Sequence, residues 1–334
     1  PSMLLAAIIM LLTYENITGD QKIVINQWTA SCMISLLIIY AVGIVDDIVG
    51  VQAKIKFLFQ IIAASLLPIS GLYINNLYGF CGIYEIPFAV GFPLTVLCIA
   101  FIDNAMNLID GIDGLAAGLA FIALGGFLYG FYCIELYIYC ILIAGLMGIL
   151  LAYMYYNIFG NPEKGLKIFM GDSGSLLLGY LLTAFVFRFC EQNAYHVVPE
   201  VYHMSAAPAV AICVMTIPIF DTIRVSLTRI KQHRNPFAPD KNHIHHLLLR
   251  TGLNHLQTTG VLLSVSLGFM LSFFTIKFAM SRPDLIPCGK YDITLFCSDM
   301  PYEKVCLAFA YSLMIVPTFD VFRVIIVRMK HHTP

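Results

Sequence analysis

Ten apolar stretches run along the chain, parted by short polar segments, at roughly 3–13, 28–45, 54–74, 91–109, 115–134, 136–156, 174–190, 206–227, 258–279 and 303–326. Crossing a hydrocarbon core of about 30 Å takes about 20 helical residues. All but the first stretch are that long or nearly so. The runs are continuous rather than alternating, which predicts helices and not the strands of a membrane barrel. The expectation is an all-α, polytopic integral membrane protein with about ten transmembrane helices visible. The first run is short and the chain opens at Pro1, so the sequence reads as a single membrane domain over residues 1–334 that is incomplete at its N-terminus.

Composition strengthens this picture. Hydrophobic residues make up 59% of the chain and charged residues 12%, with a mean hydropathy of +0.83. Soluble domains are about a quarter charged. The net charge of −1 offers no basic footprint for nucleic acid. The distribution of charge says more. If the segment after Asp46 and Asp47 is cytoplasmic and ten spans alternate, then Lys54, Lys56, Lys164, Lys167, Arg224, Arg229, Lys231, Arg234, Lys241, Arg250, Arg323, Arg328 and Lys330 share that side. These are 13 of the 19 Lys and Arg residues, the asymmetry that the positive-inside rule describes. The longest segment outside the membrane, residues 228–257, is then a cytoplasmic His-rich loop.

Two features carry less. "PIFDTIRVSLTR" (218–229) and "PTFDVFRVIIVR" (317–328) match at several positions. They read as two inward-running helices ending in basic residues, rather than as a duplicated helix pair, with Asp221–Arg224 and Asp320–Arg323 paired at i,i+3; the first copy also leads into the His-rich loop. The ten cysteines show no CxxC spacing. Cys288 and Cys297 share an outer loop and are candidates for a disulfide if that side is oxidising.

Four polar clusters sit at membrane exits, all on the cytoplasmic face. "VGIVDDIVG" ends a span with Asp46 and Asp47. Ionisable residues at membrane depth mark function by default, and a divalent cation or a basic partner would relieve the repulsion between neighbouring carboxylates. "NAMNLIDGIDGL" places Asn104, Asn107, Asp110 and Asp113 at every third residue. The first three share a helical face about 120° wide, suited to hydrogen bonding a sugar or a base, while Gly111 and Gly114 permit a tight turn. "IFMGDSGSLLLG" opens a helix with Asp172 among small residues. Free N–H groups there would attract phosphate, Asp172 can hold a hard cation, and Phe169 offers a flat ring to a base. It is not a Walker loop, lacking the Gly-Lys-Ser/Thr ending. "NPFAPDKNHIHHLLL" supplies His243, His245 and His246 beside Lys241, better suited to a pyrophosphate than to zinc, whose ligands are more widely spaced. A solvated helix end, a capped helix start and a solvated loop remain the plain alternatives for single clusters. Together the four point to phosphoryl transfer, where positioning and charge neutralisation do most of the work.

With these motifs in this order, the chain resembles the polyprenyl-phosphate N-acetylhexosamine-1-phosphate transferases, the family of WecA- and TagO-type enzymes and of the MraY-type translocases. "NAMNLIDGIDGLAAG" and "FMGDSGSLLLG" carry the resemblance most specifically, and the His-Ile-His-His loop resembles the branch that uses UDP-N-acetylglucosamine. The resemblance implies transfer of a sugar-1-phosphate from a UDP-sugar to undecaprenyl phosphate with release of UMP. It implies Mg²⁺, with Mn²⁺ as a substitute, held by Asp172 with Asp46 or Asp47, one of which is the candidate base. Asn104, Asn107, Asp110, Gly111, Asp113, Asn157 and Phe169 would line the nucleotide–sugar pocket, and His243, His245 and His246 would engage the pyrophosphate. It further implies a multi-pass protein of the bacterial inner membrane, its site facing the cytoplasm, with a homodimer as a candidate assembly. Two departures stand out. Leu4 and Leu5 replace the glycines of the family's Pro-x-x-Gly-Gly turn, leaving a fragment or an inactive homologue as readings. Asp103 stands where the family carries an uncharged residue. The muramoyl-pentapeptide branch and, from another class, a nucleotide-sugar transporter are the competing functions. A transporter would show internal repeats and polar groups near the bilayer midplane.

Overall fold

The computed structural model describes residues 27–80, 83–192, 211, 215–233 and 242–281. Within them the chain forms α1 (Gln27–Val49), α2 (Ala53–Ile69), a hairpin of β1 (Asn76–Phe80) and β2 (Ile83–Glu85), α3 (Phe88–Ile109), α4 (Leu115–Cys133), α5 (Tyr137–Phe159), α6 (Gly171–Gln192), α7 (Thr216–Lys231), α8 (Ile244–Arg250) and α9 (His255–Ser281). Among the described residues five helices are long and apolar enough to cross a membrane: α1, α3, α4, α5 and the Gly171–Glu191 part of α6. The protein is an all-α, multi-pass membrane protein.

Two packed cores share α3 and α6. One surrounds α4 and holds Leu115, Leu124, Phe127 and Phe131; the other joins α1, α2 and α6 through Leu36, Ile39, Leu67 and Tyr180. Lipid is as apolar as leucine, so helices in a bilayer associate by close packing rather than by the hydrophobic effect. The sequence supplies the small residues this needs. Ala116, Ala117, Ala120 and Ala123 of α4 are all buried. Where α1 crosses α6, a Cβ on Gly43 would lie 2.3 Å from Ser173 Cα, so only glycine permits that approach. At the end remote from the polar clusters, Arg188 donates to Tyr139 Oη at 2.7 Å and lies 5.0 Å from the Trp28 ring, an aromatic anchor of the kind found at membrane interfaces.

The predicted spans need three corrections. The run predicted as 28–45 continues to Val49, which puts Asp46 and Asp47 inside the last turn of α1. The run predicted as 54–74 stops at Ile69, because Gly71 takes a φ of 96° and turns the chain into the hairpin. That hairpin, pairing Asn76 with Glu85 and Phe80 with Ile83, and the short α8 inside the His-rich loop were not anticipated. Of the span predicted as 206–227, residues 211 and 215–227 are described, and α7 runs on to Lys231. The spans at 3–13 and 303–326, Leu4 and Leu5, the second copy of the repeat, Lys241, Arg234, Cys288 and Cys297 lie outside the described residues.

Candidate active site

The four polar clusters meet. Alternation of the helices brings the end of α1, the start of α2, the end of α3, the start of α6 and α8 to one end of the bundle. At its centre the Lys56 ammonium of α2 lies 2.8 Å from Asp46 Oδ2 and 2.7 Å from Asp172 Oδ2, joining the carboxylates of α1 and α6. Asn107 of α3 donates to Asp172 Oδ1 at 2.6 Å and to Ser175 Oγ at 2.8 Å. Asp46 also accepts from the Val51 amide at 2.7 Å, closing the turn between α1 and α2.

Asp47 behaves differently from its neighbour. Its carboxylate accepts from the Asp172 amide at 2.7 Å and from the Ser173 amide at 3.1 Å, capping α6 from another helix. The expectation of free N–H groups at this helix start is therefore corrected. An anion is already seated there, where the dipole favours negative charge.

Asp110 caps the end of α3. Burial, helped by the negative charges of Asp172 and Asp113, pushes its carboxyl up to about 6. Asp113 binds the Lys167 ammonium at 2.6 Å, and its carbonyl accepts from Thr259 of α9 at 2.9 Å. The Lys167 ammonium in turn lies 5.7 Å from the centre of the Phe169 ring, which is 73% exposed. Gly114, with a φ of 74°, starts α4. Its amide donates to Asn157 Oδ1 at 2.7 Å while Asn157 Nδ2 donates to the Ile168 carbonyl at 2.8 Å, so one buried amide pins both loops. Phe169 also borders a cleft of about 460 Å³ between α1, α5 and α6, lined by Tyr40, Leu150, Tyr153, Tyr156 and Leu177 among others.

The His-rich loop is drawn in by Asp221 of α7. That buried carboxylate contacts His243 Nδ1 at 2.8 Å and accepts from the Ile244 amide at 2.9 Å and from Arg224 at 2.7 Å. His245 packs its ring against Gly111, where a Cβ would meet Nε2 at 2.4 Å. Burial first, then the neighbouring His246, holds its imidazole down to about 4. The rings of His245 and His246 lie 4.2 Å apart.

The structure thus joins Asp46, Asp47, Asn107 and Asp172 in one hydrogen-bonded centre, with Asp110, Gly111, Asp113, Asn157, Phe169 and the histidines around it. Asn104 goes elsewhere. Its amide donates to Gln60 Oε1 at 2.9 Å and to the Ala100 carbonyl at 2.7 Å, inside the bundle rather than toward a ligand. Lys56, Lys167, Ser175 and Asp221 were missed as site residues. The available signal was a lysine and a glutamine, Lys56 and Gln60, one turn apart inside an apolar run, where polar groups are costly.

Asp46 and Asp172 fit a hard divalent cation. Their oxygens converge on one point of positive charge, which the Lys56 ammonium now supplies. Mg²⁺ commonly takes one or two carboxylates, completing its shell with water and substrate phosphates. Among the described residues no three His, Cys, Asp or Glu side chains form a fuller cage.

Several known proteins are similar to this chain. Residues 29–189 match the profile of glycosyl transferase family 4. A probable undecaprenyl-phosphate N-acetylglucosaminyl 1-phosphate transferase of Bacillus subtilis is 34% identical over 260 residues, 74% of this chain and 65% of the relative. A decaprenyl-phosphate N-acetylglucosaminephosphotransferase of Mycolicibacterium smegmatis is 35% identical over 65% of this chain and 56% of its own. The undecaprenyl-phosphate alpha-N-acetylglucosaminyl 1-phosphate transferase of Escherichia coli is 29% identical over 70% and 62%. The chain spans less than two thirds of the length of each of these relatives. On its motifs, its site and these matches, the chain resembles glycosyl transferase family 4 over residues 29–189, about half of its length.

Proposed function

We propose that this protein transfers N-acetylglucosamine-1-phosphate from a UDP-sugar to undecaprenyl phosphate at the cytoplasmic face of a bacterial inner membrane, releasing UMP. The observation that carries this reading is the meeting of Asp46, Lys56, Asn107 and Asp172 from four helices at one end of the bundle. Related proteins are named undecaprenyl-phosphate N-acetylglucosaminyl 1-phosphate transferases.

In the reaction an oxygen of the lipid phosphate attacks the sugar-bearing phosphorus, a new P–O bond forms, and the bond to the UMP oxygen breaks. A divalent cation, Mg²⁺ or Mn²⁺, held by Asp46 and Asp172, would neutralise the phosphate charge that builds as this happens. The protein's own groups do the rest. Lys56 bridges Asp46 and Asp172 and so keeps the two carboxylates converged before a cation enters, and Asn107 fixes the rotamer of Asp172. Asp47 holds the start of α6 so that Asp172 keeps its place. Phe169, with Lys167 and Asp113 beside it, presents an exposed ring and a charge pair to a base. Asp221 seats the histidine loop against Gly111, bringing His243, His245 and His246 to the diphosphate side.

The test uses membranes containing the full-length protein, undecaprenyl phosphate and UDP-N-acetylglucosamine labelled in the sugar. Label appearing in the lipid fraction with matching UMP, dependent on Mg²⁺, supports the reading. Transfer only from the UDP-muramoyl-pentapeptide would move the protein to the other branch, and failure with every donor would sink the activity. Asp172→Asn is expected to lower turnover by about 10²- to 10³-fold, in the range of losing a principal electrostatic group, while the protein still elutes as a folded species.

A further inference from the structure

The mechanism leaves Asp103 unused. It is 1% exposed within α3, both carboxyl oxygens lack a hydrogen-bond partner among the described residues, and so does Gln60 Nε2, itself in a residue 2% exposed. An isolated carboxylate in an apolar bundle is costly enough to need a reason. α6 walls it on one side, since a Cβ on Gly179 would lie 3.0 Å from Asp103 Oδ1. α2 lies on the other, where Gln60 ties down Asn104, the residue next to Asp103.

The geometry of α2 and α3 connects Asp103 to the centre above it. Asp103 precedes Asn107, which binds Asp172, by four residues, about 6 Å along the helix axis. Gln60 follows Lys56 by the same interval on α2. The flexible four-carbon stem of a lysine spans a comparable distance. The Lys56 ammonium stands between Asp46 and Asp172, the place that suits a divalent cation, and two cations cannot share it.

We propose that Asp103 is a positioning residue for Lys56: when a divalent cation takes the place between Asp46 and Asp172, the Lys56 side chain turns down α2 and Asp103 becomes its counter-ion. This rests on the divalent-cation reading of Asp46 and Asp172. It gives the buried carboxylate a partner at the step when the lysine loses its own.

The experiment is a titration of Mn²⁺, read by electron paramagnetic resonance of the free ion, on the full-length protein in nanodiscs without substrates. Asp103→Asn, nearly isosteric, is expected to weaken Mn²⁺ binding about tenfold, the scale of a nearby charge at a partly buried site. In a Lys56→Met background the same substitution should change the affinity less than about twofold, because no displaced ammonium needs a counter-ion. Asp103→Ser serves as a second, smaller variant if Asp103→Asn does not elute as a folded species. Mn²⁺ binding that needs Asp172 yet ignores Asp103, or that weakens equally with and without Lys56, overturns the proposal while leaving the metal reading intact. Mn²⁺ binding that is absent, or indifferent to Asp172→Asn, overturns both.

Discussion

Gly111 owes its identity to a histidine from a distant part of the chain. His245 Nε2 occupies the space where a Cβ would stand, 2.4 Å away. Gly111→Ala is expected to push the ring back and lower kcat about 10²-fold, the penalty for misplacing a reacting group by about 1 Å, with a melting temperature close to that of the parent; a steady-state assay and a thermal melt check this. The two shifted groups beside this contact oppose each other in pH. His245, depressed to about 4, is neutral in the folded protein while the unfolded chain takes up a proton near 6.5. Its stabilising contribution is full above about 6.5 and is lost as pH falls toward 4. Asp110, raised to about 6, contributes below about 3.9 and loses that contribution as pH rises through 6. Thermal melts between pH 4 and 7 are expected to fall less steeply on the acid side in His245→Gln and more steeply in Asp110→Asn. Residue types and their clustering were legible in the sequence. Side-chain direction was not: Asn104 and Asn107 share a predicted face, yet one turns to Gln60 and the other to Asp172, and only the neighbouring helices decide which.

Between elements, the governing contact is the cap that α1 places on α6. Helix starts are usually capped by the residue just before them, so no local pattern reveals that Asp47, more than a hundred positions earlier, does so here. Asp47→Ala is expected to lower the unfolding free energy by about 1 kcal/mol and Asp47→Asn, which keeps an acceptor oxygen, by less, as read from denaturation in mixed micelles. Neighbouring carboxylates that look interchangeable in the sequence are thus divided between a helix cap and a charge centre. The apolar runs located most helices within a few residues. They failed at Ile69, where Gly71 ends α2, because hydrophobicity continues past a turn that backbone conformation imposes.

At the scale of the whole molecule, one end of the bundle carries the chemistry and the other an aromatic and arginine anchor. Single cysteines replacing Gly50, Asn161 or His233, in a background without other reactive thiols, are expected to react with a membrane-impermeant maleimide only from the cytoplasmic side, and those replacing Gly71 or Glu135 only from outside. The opposite pattern would reverse the orientation. The convergence of four motifs at one end was legible from alternation and charge. Which helices touch was not, since continuous apolar runs look alike on every side. Asn157 binds two loops with one amide group, accepting from Gly114 and donating to Ile168. Neither loop can breathe without loosening the other. Deuterium should therefore enter the Gly114 amide only in openings that also release the loop bearing Phe169, and a base stacked on that ring would slow isotope exchange at a glycine it never touches.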